Sequence, residues 1–213
     1  MNHPDIERIL VSETQIDQIV RTIARQIDTD YGAGGGFCKE GRRPNLVLLC
    51  VLKGSVVFMG ELMKRIGLPV EIDFIKVSSY GNSSRTSGSV NIILDFQRKN
   101  INELDILIIE DIIDSGRTLS YLVEYLKLKG AHSVRTCALL DKPNCREVEF
   151  IPDYVGRVIP DEFVVGYGLD YAEKYRALPY IGVLKSEVYM EKVPDGNGNG
   201  NEHCRNRKPE PGV

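Results

Sequence analysis

A strand-like apolar run that leads through three carboxylates into a helical pattern constrains this chain more than any other feature. Residues 105–118 read Asp-Ile-Leu-Ile-Ile-Glu-Asp-Ile-Ile-Asp-Ser-Gly-Arg-Thr, and helical apolar spacing follows. The strand is predicted to end at Glu110 and Asp111. Small residues and a glycine then gather backbone N–H groups at a helix start, where the dipole favours an anion. Because carboxylates repel a phosphate, the acidic pair needs sugar hydroxyls, a metal ion or both, and a phosphorylated sugar fits the whole pattern.

The composition is that of an ordinary globular chain. Its 213 residues suit one domain, and a net charge of −3 argues against nucleic acid as the main partner. No apolar run approaches the length of a membrane span, and the polar start, 1–8, is unlike a signal peptide, so a cytoplasmic protein is expected. Five cysteines without a CxxC motif predict free thiols, with Cys50 and Cys137 buried, and no zinc site or disulfide framework.

Apolar periodicities predict alternating strands and helices. Ser12–Gln15 has the spacing of a capping box, and apolar residues at helical spacing follow it to Ile27. The predicted strands are 46–52, 70–78, 90–94, 105–110 and 134–140, with helices ending near 66 and spanning 118–129. Shorter strands are predicted after them at 153–158, 163–167 and 181–184. This alternation is typical of an open, mostly parallel sheet flanked by helices, so an α/β fold is expected.

Polar residues follow four of the predicted strands. They are Lys53, Ser79–Tyr80, Glu110–Asp111 and Asp141–Lys142. Open parallel sheets bind ligands at the carboxyl ends of their strands, so these residues are expected to converge on one edge of the sheet.

Three stretches of the chain resemble a known family. Ile-Ile-Glu-Asp-Ile-Ile-Asp-Ser-Gly-Arg-Thr, 108–118, is similar to the phosphoribosyl-pyrophosphate loop of the type I phosphoribosyltransferases, and most of all to their hypoxanthine-guanine class. Phe-Val-Val-Gly-Tyr-Gly-Leu-Asp-Tyr, 163–171, resembles the purine-binding segment of the same class. Leu52-Lys53-Gly54-Ser55 resembles the pyrophosphate loop, in which that family has a cis peptide before the lysine. The resemblance covers roughly residues 8–190.

The resemblance implies roles for individual residues. Asp114 would be the catalytic general base. The implied phosphoribosyl-pyrophosphate ligands are Lys53, Gly54, Ser79, Tyr80, Glu110, Asp111, Asp114, Ser115, Gly116, Arg117, Thr118 and Arg176. The implied purine contacts are Lys142, Phe163, Val164 and Asp170, and the implied metal ligands are Glu110, Asp111 and Asp170.

The resemblance also implies the reaction and the assembly. The chain is expected to transfer a phosphoribosyl group to hypoxanthine or guanine with Mg²⁺, giving IMP or GMP and pyrophosphate, without nucleic-acid or membrane partners. A homodimer or homotetramer is expected. The implied layout is one domain over 1–192 whose small C-terminal hood lies mainly in 143–190, with a polar loop at 79–88 that closes over the reacting centre. The glycine, asparagine and proline content of 193–213 separately predicts a disordered tail.

Other interpretations remain open at this point. Lys53 and Lys142 could be exposed lysines in turns, Phe163 a core residue, and Asp170 a turn aspartate. The same fold could also serve a regulator that senses phosphoribosyl pyrophosphate. A xanthine-preferring enzyme is a further alternative, because nothing in the sequence shows a preference among hypoxanthine, guanine and xanthine.

Overall fold

The computed structural model describes residues 3–36, 44–79 and 90–190, and for Ser79 the backbone alone. The predictions for Tyr80, for the rest of the polar loop to 88 and for the tail at 193–213 lie outside these ranges. In the described part of the chain, every helix is too short or too polar to cross a membrane.

Nine strands and four α-helices make up the fold of the described residues. In chain order they are β1 Ile6–Val11, α1 Glu13–Tyr31, β2 Leu46–Val51, α2 Val56–Met63, β3 Glu71–Ser79, β4 Val90–Leu94, β5 Asp105–Ile113, α3 Arg117–Leu128, β6 Ser133–Asp141, β7 Tyr154–Val158, β8 Val164–Val165, β9 Ile181–Leu184 and α4 Ser186–Tyr189.

Six strands form one open sheet in the order β4-β3-β2-β5-β6-β7. Strands β2, β3, β5, β6 and β7 are parallel, and β4 is antiparallel to β3. The predicted open, mostly parallel α/β sheet is therefore confirmed.

Helices cover both faces of the sheet, so β2 is apolar throughout and β5 is apolar from Ile106 to Ile109. Helices α1 and α2 pack on one face and α3 on the other. Helix α1 begins with the predicted capping box, in which Ser12 and Gln15 each bond the other's backbone N–H. Burial of the described thiols Cys50, Cys137 and Cys145 agrees with the expectation of free cysteines.

Strand β5 is longer than predicted. It continues past Glu110 and Asp111 to Ile113, because the ladder with β6 runs on to the pair Ile113–Asp141. The prediction that the acidic pair ends the strand is wrong. The pair lies inside the strand, and Asp114 is the first residue beyond it.

A separate three-stranded antiparallel sheet, the hood sheet, has the order β1-β9-β8. The sequence placed the strand at 153–158 with the hood, but this strand, β7, pairs in parallel with β6 at the edge of the main sheet. The hood sheet instead recruits β1 from the start of the chain. Pairing partners far apart in sequence leave no trace in local periodicity, so the sequence could not assign either strand to its sheet.

Candidate active site

The carboxyl ends of β2, β5 and β6 bring the predicted polar residues to one edge of the main sheet. Lys53 follows β2, Asp114 follows β5, and Lys142 follows β6, while β3 ends at Ser79. The peptide bond between Leu52 and Lys53 is cis, as the family resemblance implied.

Two loops and strand β5 approach one another closely at this edge. A Cβ on Gly54 would lie 1.6 Å from Oδ2 of Asp111, and a Cβ on Gly168 would lie 2.0 Å from the carbonyl oxygen of Gly54. Gly168 also has a φ of +99°, which side chains rarely adopt. The loop after β2, the acidic pair of β5 and the turn after β8 are therefore in direct contact.

This packing predicts that Gly168→Ala destabilises the protein. Both the left-handed backbone and the clash with Gly54 oppose a side chain, at a cost of about 1–3 kcal/mol or more. The melting temperature should fall by about 3–10 °C, as thermal unfolding would show. Gly60→Ala is the control, because nothing lies within 4 Å of a Cβ in the middle of that helix. An equal melting temperature for Gly168→Ala and the parent would contradict the close approach.

The loop before α3 leads into a helix N-terminus that lacks a side-chain cap. Gly116 is the N-cap residue, with a φ of +78°, and no side chain caps the helix. The Arg117 N–H approaches Oγ of Ser115 at 3.4 Å, while the Arg117 guanidinium pairs with Glu147 at 2.6 Å. An anion at this helix start would meet backbone N–H groups, while the Arg117 side chain pairs with Glu147.

Lys142 is buried between two carboxylates. Its side chain is 1% exposed, and its Nζ lies 3.6 Å from Oδ1 of Asp114 and 3.6 Å from Oδ1 of Asp161. Nζ also donates to the carbonyl oxygen of Glu162 at 2.8 Å. The interpretation of Lys142 as a solvated lysine in a turn is therefore wrong.

The surroundings of Asp114 raise the pKa of its carboxyl. Burial raises the pKa of this carboxyl above its ordinary value, the Lys142 ammonium opposes the rise, and the negative charge of Asp161 adds to it. A carboxylate with a raised pKa can take up a proton from a bound ligand more readily than an exposed aspartate can.

Arg146 holds the ends of β5 and β6 together, a role that the sequence did not suggest. Its Nη1 donates to the carbonyl oxygen of Asp114 at 2.7 Å and to those of Ile113 and Lys142 at 3.2 and 3.3 Å. Its Nη2 pairs with Asp141. These contacts fix the backbone of Asp114 and Lys142, and no local sequence signal marks an arginine for such a role.

A second charged network joins the loop after β2 to the turn before β9. Arg176 pairs with Asp170 at 2.9 Å and with Glu173 at 3.1 Å, and Lys53 pairs with the same Glu173 at 3.0 Å. Hydrogen bonds from Lys53, which has the larger effect, and from Arg176 hold the pKa of Glu173 below its ordinary value. Two of the predicted pyrophosphate ligands, Lys53 and Arg176, are therefore bridged by a carboxylate that the sequence analysis missed.

The predicted purine contacts of the hood are placed beside aromatic neighbours. Phe163 is 6% exposed, stacks on Tyr189 at 4.7 Å and meets Tyr171 edge to face at 5.6 Å. Val164 pairs with Val183 in the hood sheet. Phe163 thus packs in the hood core, and its stacking on a base stays a prediction.

The acidic residues do not form a complete metal cage. Within the described ranges, no group of three or more His, Cys, Asp or Glu side chains could hold a metal ion. Glu110 and Asp111 are neighbours in β5, and the oxygens of Asp170 contact Arg176 and the N–H of Glu173. Mg²⁺ commonly takes one or two carboxylates and completes its shell with water and substrate phosphates, so the acidic pair fits an ion that arrives with a phosphorylated ligand.

Comparison with known proteins agrees with this geometry. Residues 10–172 match the family described as the phosphoribosyl transferase domain. The chain is 51% identical over 189 residues to the bifunctional protein TilS/HprT of Listeria monocytogenes serotype 4b, covering 89% of this chain but only 28% of that longer protein. It is 49% identical to the hypoxanthine-guanine phosphoribosyltransferase of Bacillus subtilis strain 168, covering 89% of this chain and 98% of that one.

Solved structures of similar proteins share the fold. A hypoxanthine phosphoribosyltransferase from Staphylococcus aureus is 44% identical, with a TM-score of 0.79 over 89% of this chain and 97% of that one. A hypoxanthine phosphoribosyltransferase from Trypanosoma cruzi, solved in complex with the product IMP, is 40% identical, with a TM-score of 0.79 over 89% of this chain and all of that one.

Proposed function

This chain belongs to the phosphoribosyltransferase family, and we propose that it is a purine salvage enzyme of the hypoxanthine-guanine class. It transfers the 5-phosphoribosyl group from phosphoribosyl pyrophosphate to hypoxanthine or guanine, giving IMP or GMP and pyrophosphate. The Bacillus subtilis relative, matched over nearly its whole length, supports this activity. The observation that carries the proposal is the buried Lys142 ammonium beside Asp114 at the carboxyl edge of the sheet.

The phosphoribosyl group is bound by the loops after β2 and β5. Backbone N–H groups of residues 115–118 hold the 5′-phosphate at the uncapped start of α3. Glu110 and Asp111 bind the ribose hydroxyls and the ion that accompanies them. The pyrophosphate lies against the charged network of Lys53, Glu173 and Arg176. The proposed ligands of phosphoribosyl pyrophosphate are Lys53, Gly54, Ser79, Tyr80, Glu110, Asp111, Asp114, Ser115, Gly116, Arg117, Thr118 and Arg176.

The pyrophosphate must replace the carboxylate that now bridges two cations. Glu173 contacts both Lys53 and Arg176, and pyrophosphate carries more negative charge than one carboxylate. Its arrival therefore exchanges a weak, exposed ion pair for stronger ones without moving the cations far.

The purine meets Lys142 and the hood. The Lys142 ammonium can only donate, so it pairs with a 6-oxo acceptor and disfavours a 6-amino group. Phe163 stacks on the base, while Val164 and Asp170 lie at its edge. N9 of the base attacks C1 of the ribose as the C1–oxygen bond to pyrophosphate breaks, and the N7 proton passes to Asp114.

Mg²⁺ is the proposed cofactor, held by Glu110, Asp111 and Asp170 together with the substrate. When bound, it offsets the negative charge that develops on the leaving pyrophosphate. Lys53 and Arg176 contribute to the same neutralisation from the protein side.

The proposal extends to assembly and compartment. The substrates are the partners, and the chain forms a homodimer or homotetramer. Buried thiols at Cys50, Cys137 and Cys145 suit a reducing compartment such as the cytoplasm.

The test is product formation from each purine. Hypoxanthine, guanine, xanthine and adenine are each incubated with phosphoribosyl pyrophosphate and Mg²⁺, and nucleotide and pyrophosphate are measured. Turnover of hypoxanthine or guanine supports the proposal. Binding of phosphoribosyl pyrophosphate without turnover of any base would favour a regulator, and turnover of xanthine alone would favour the xanthine-preferring alternative.

Lys142→Gln should lower kcat/KM for hypoxanthine and guanine and relax the exclusion of adenine. Loss of a charge-assisted hydrogen bond costs about 1.5–3 kcal/mol, or roughly one to two orders of magnitude in kcat/KM. The measurement is kcat/KM for all three bases, with the exposed Lys127→Gln as the control. An equal fall for all three bases would place the action of Lys142 away from the 6-position.

A further inference from the structure

Two carboxylates lie beside the buried Lys142 ammonium, and the proposed reaction gives a role to only one of them, Asp114. Asp114 and Asp161 lie at the same distance from Nζ, 3.6 Å. In both carboxylates the oxygen that faces the ammonium is shielded from solvent. Asp161 precedes the hood strand β8, so the second carboxylate comes from a different part of the chain from the proposed base.

The proton balance of the reaction explains why a second carboxylate is needed. When Asp114 takes the N7 proton, its negative charge is neutralised at the moment when Lys142 must still donate to the 6-oxo group. A buried cation without a counter-charge is strongly disfavoured. Asp161 is not the acceptor of that proton in the proposed reaction, so its carboxylate, 3.6 Å from Nζ, is placed to balance the charge of Lys142 at this step.

The distance between Nζ of Lys142 and Asp161 suits a carboxylate that balances the charge of the ammonium without accepting a hydrogen bond from it. An ion pair at 3.6 Å is longer than a hydrogen bond, whereas the bond from Nζ to the Glu162 carbonyl is 2.8 Å. The carbonyl therefore anchors the ammonium, and Asp161 balances its charge. A substrate oxygen can therefore accept a hydrogen bond from Lys142 without breaking a hydrogen bond between Lys142 and Asp161.

We propose that Asp161 is a positioning residue that supplies the counter-charge beside the Lys142 ammonium and keeps it aimed at the 6-oxo group of the purine while Asp114 is protonated. This inference rests on the proposed function, since Lys142 meets a purine only there. Asp161 acts through Lys142, so its removal should change the choice of base more than the binding of phosphoribosyl pyrophosphate.

The experiment compares Asp161→Asn with the parent. We expect kcat/KM for hypoxanthine and guanine to fall by about tenfold or more, and kcat/KM for adenine to change far less. The Kd of phosphoribosyl pyrophosphate with Mg²⁺, measured by calorimetry, should stay within about twofold, since no charged pair of that site is altered. Asp161→Glu keeps the charge and should recover most of the lost rate.

A pH profile provides a readout that a merely structural role would not move. The charged groups around Asp114 are Lys142, Asp161 and Arg146. Removing the negative charge of Asp161 lowers the pKa of Asp114, so the acid limb of kcat/KM for hypoxanthine should move to lower pH. Glu149→Gln, which removes an exposed carboxylate from the loop after β6, is the matched control and should leave the limb in place.

The outcomes separate the inference from the function on which it rests. If the parent turns over neither hypoxanthine nor guanine, the proposed function fails. If the parent is active but Asp161→Asn keeps the ratio of 6-oxopurine to adenine rates and the acid limb, the inference alone is overturned. An equal loss for every base, with weaker phosphoribosyl-pyrophosphate binding and a lower melting temperature, would also overturn it and make Asp161 a structural residue.

Discussion

Asp114→Asn is expected to lower kcat for hypoxanthine by about 10²–10⁴, the usual contribution of a general base. Asparagine keeps the shape and the contacts of the side chain but cannot accept the N7 proton. The raised pKa of Asp114 also predicts a pH effect, because the base works only when it is deprotonated. In the parent, kcat/KM should fall as the pH drops through a value above that of an ordinary aspartate, and the variant should lose this acid limb.

Binding measurements separate a lost base from a damaged site. The Kd of phosphoribosyl pyrophosphate should change little in Asp114→Asn, because asparagine keeps the shape of the side chain and the anion site proposed at 115–118 consists of backbone N–H groups. Glu124→Gln, an exposed change on α3, serves as the control for removing a carboxylate near that helix. A kcat within about threefold of the parent would exclude Asp114 as the general base.

Replacing both Glu110 and Asp111 with alanine is expected to weaken phosphoribosyl-pyrophosphate binding by about 100-fold or more. Each carboxylate is proposed to make charge-assisted contacts with ribose hydroxyls or with the accompanying ion, worth about 1.5–3 kcal/mol apiece. The dependence of binding on Mg²⁺ should also fall. Titration calorimetry with Mg²⁺ and with a chelator measures both effects.

Asp105 gives the matched contrast from the same strand. It lies at the opposite end of β5, accepts from Ser133 at 2.7 Å and is 2% exposed. Asp105→Asn should therefore lower the melting temperature and leave the affinity for phosphoribosyl pyrophosphate unchanged. If the double alanine variant behaves in the same way, the acidic pair is structural and its proposed ligand role is wrong.

Local patterns were sufficient for much of the fold. The capping box and apolar spacing of α1, the continuous apolar strand β2 and the helical pattern of α3 depend on neighbours in the chain, and all are confirmed. The apolar run of β5 is confirmed as a strand, although the strand ends later than predicted. The alternation of these elements predicted a mostly parallel sheet, and the parallel sheet in turn predicted that polar residues would meet at its carboxyl edge.

The tertiary structure decided what local patterns cannot encode. The pairing of β7 with the main sheet and of β1 with the hood depends on partners far away in the chain. Local sequence left open whether Lys142 is a purine contact or an exposed turn lysine. The structure buries it, because Asp114 and Asp161 arrive from two other segments to balance its charge. Arg146 and Glu173 likewise make their contacts, with the Asp114 carbonyl and with Lys53, to residues far away in the chain. The sequence by itself determined the elements and the edge where the site forms, whereas burial and charge pairing depend on distances that exist only after the chain has folded.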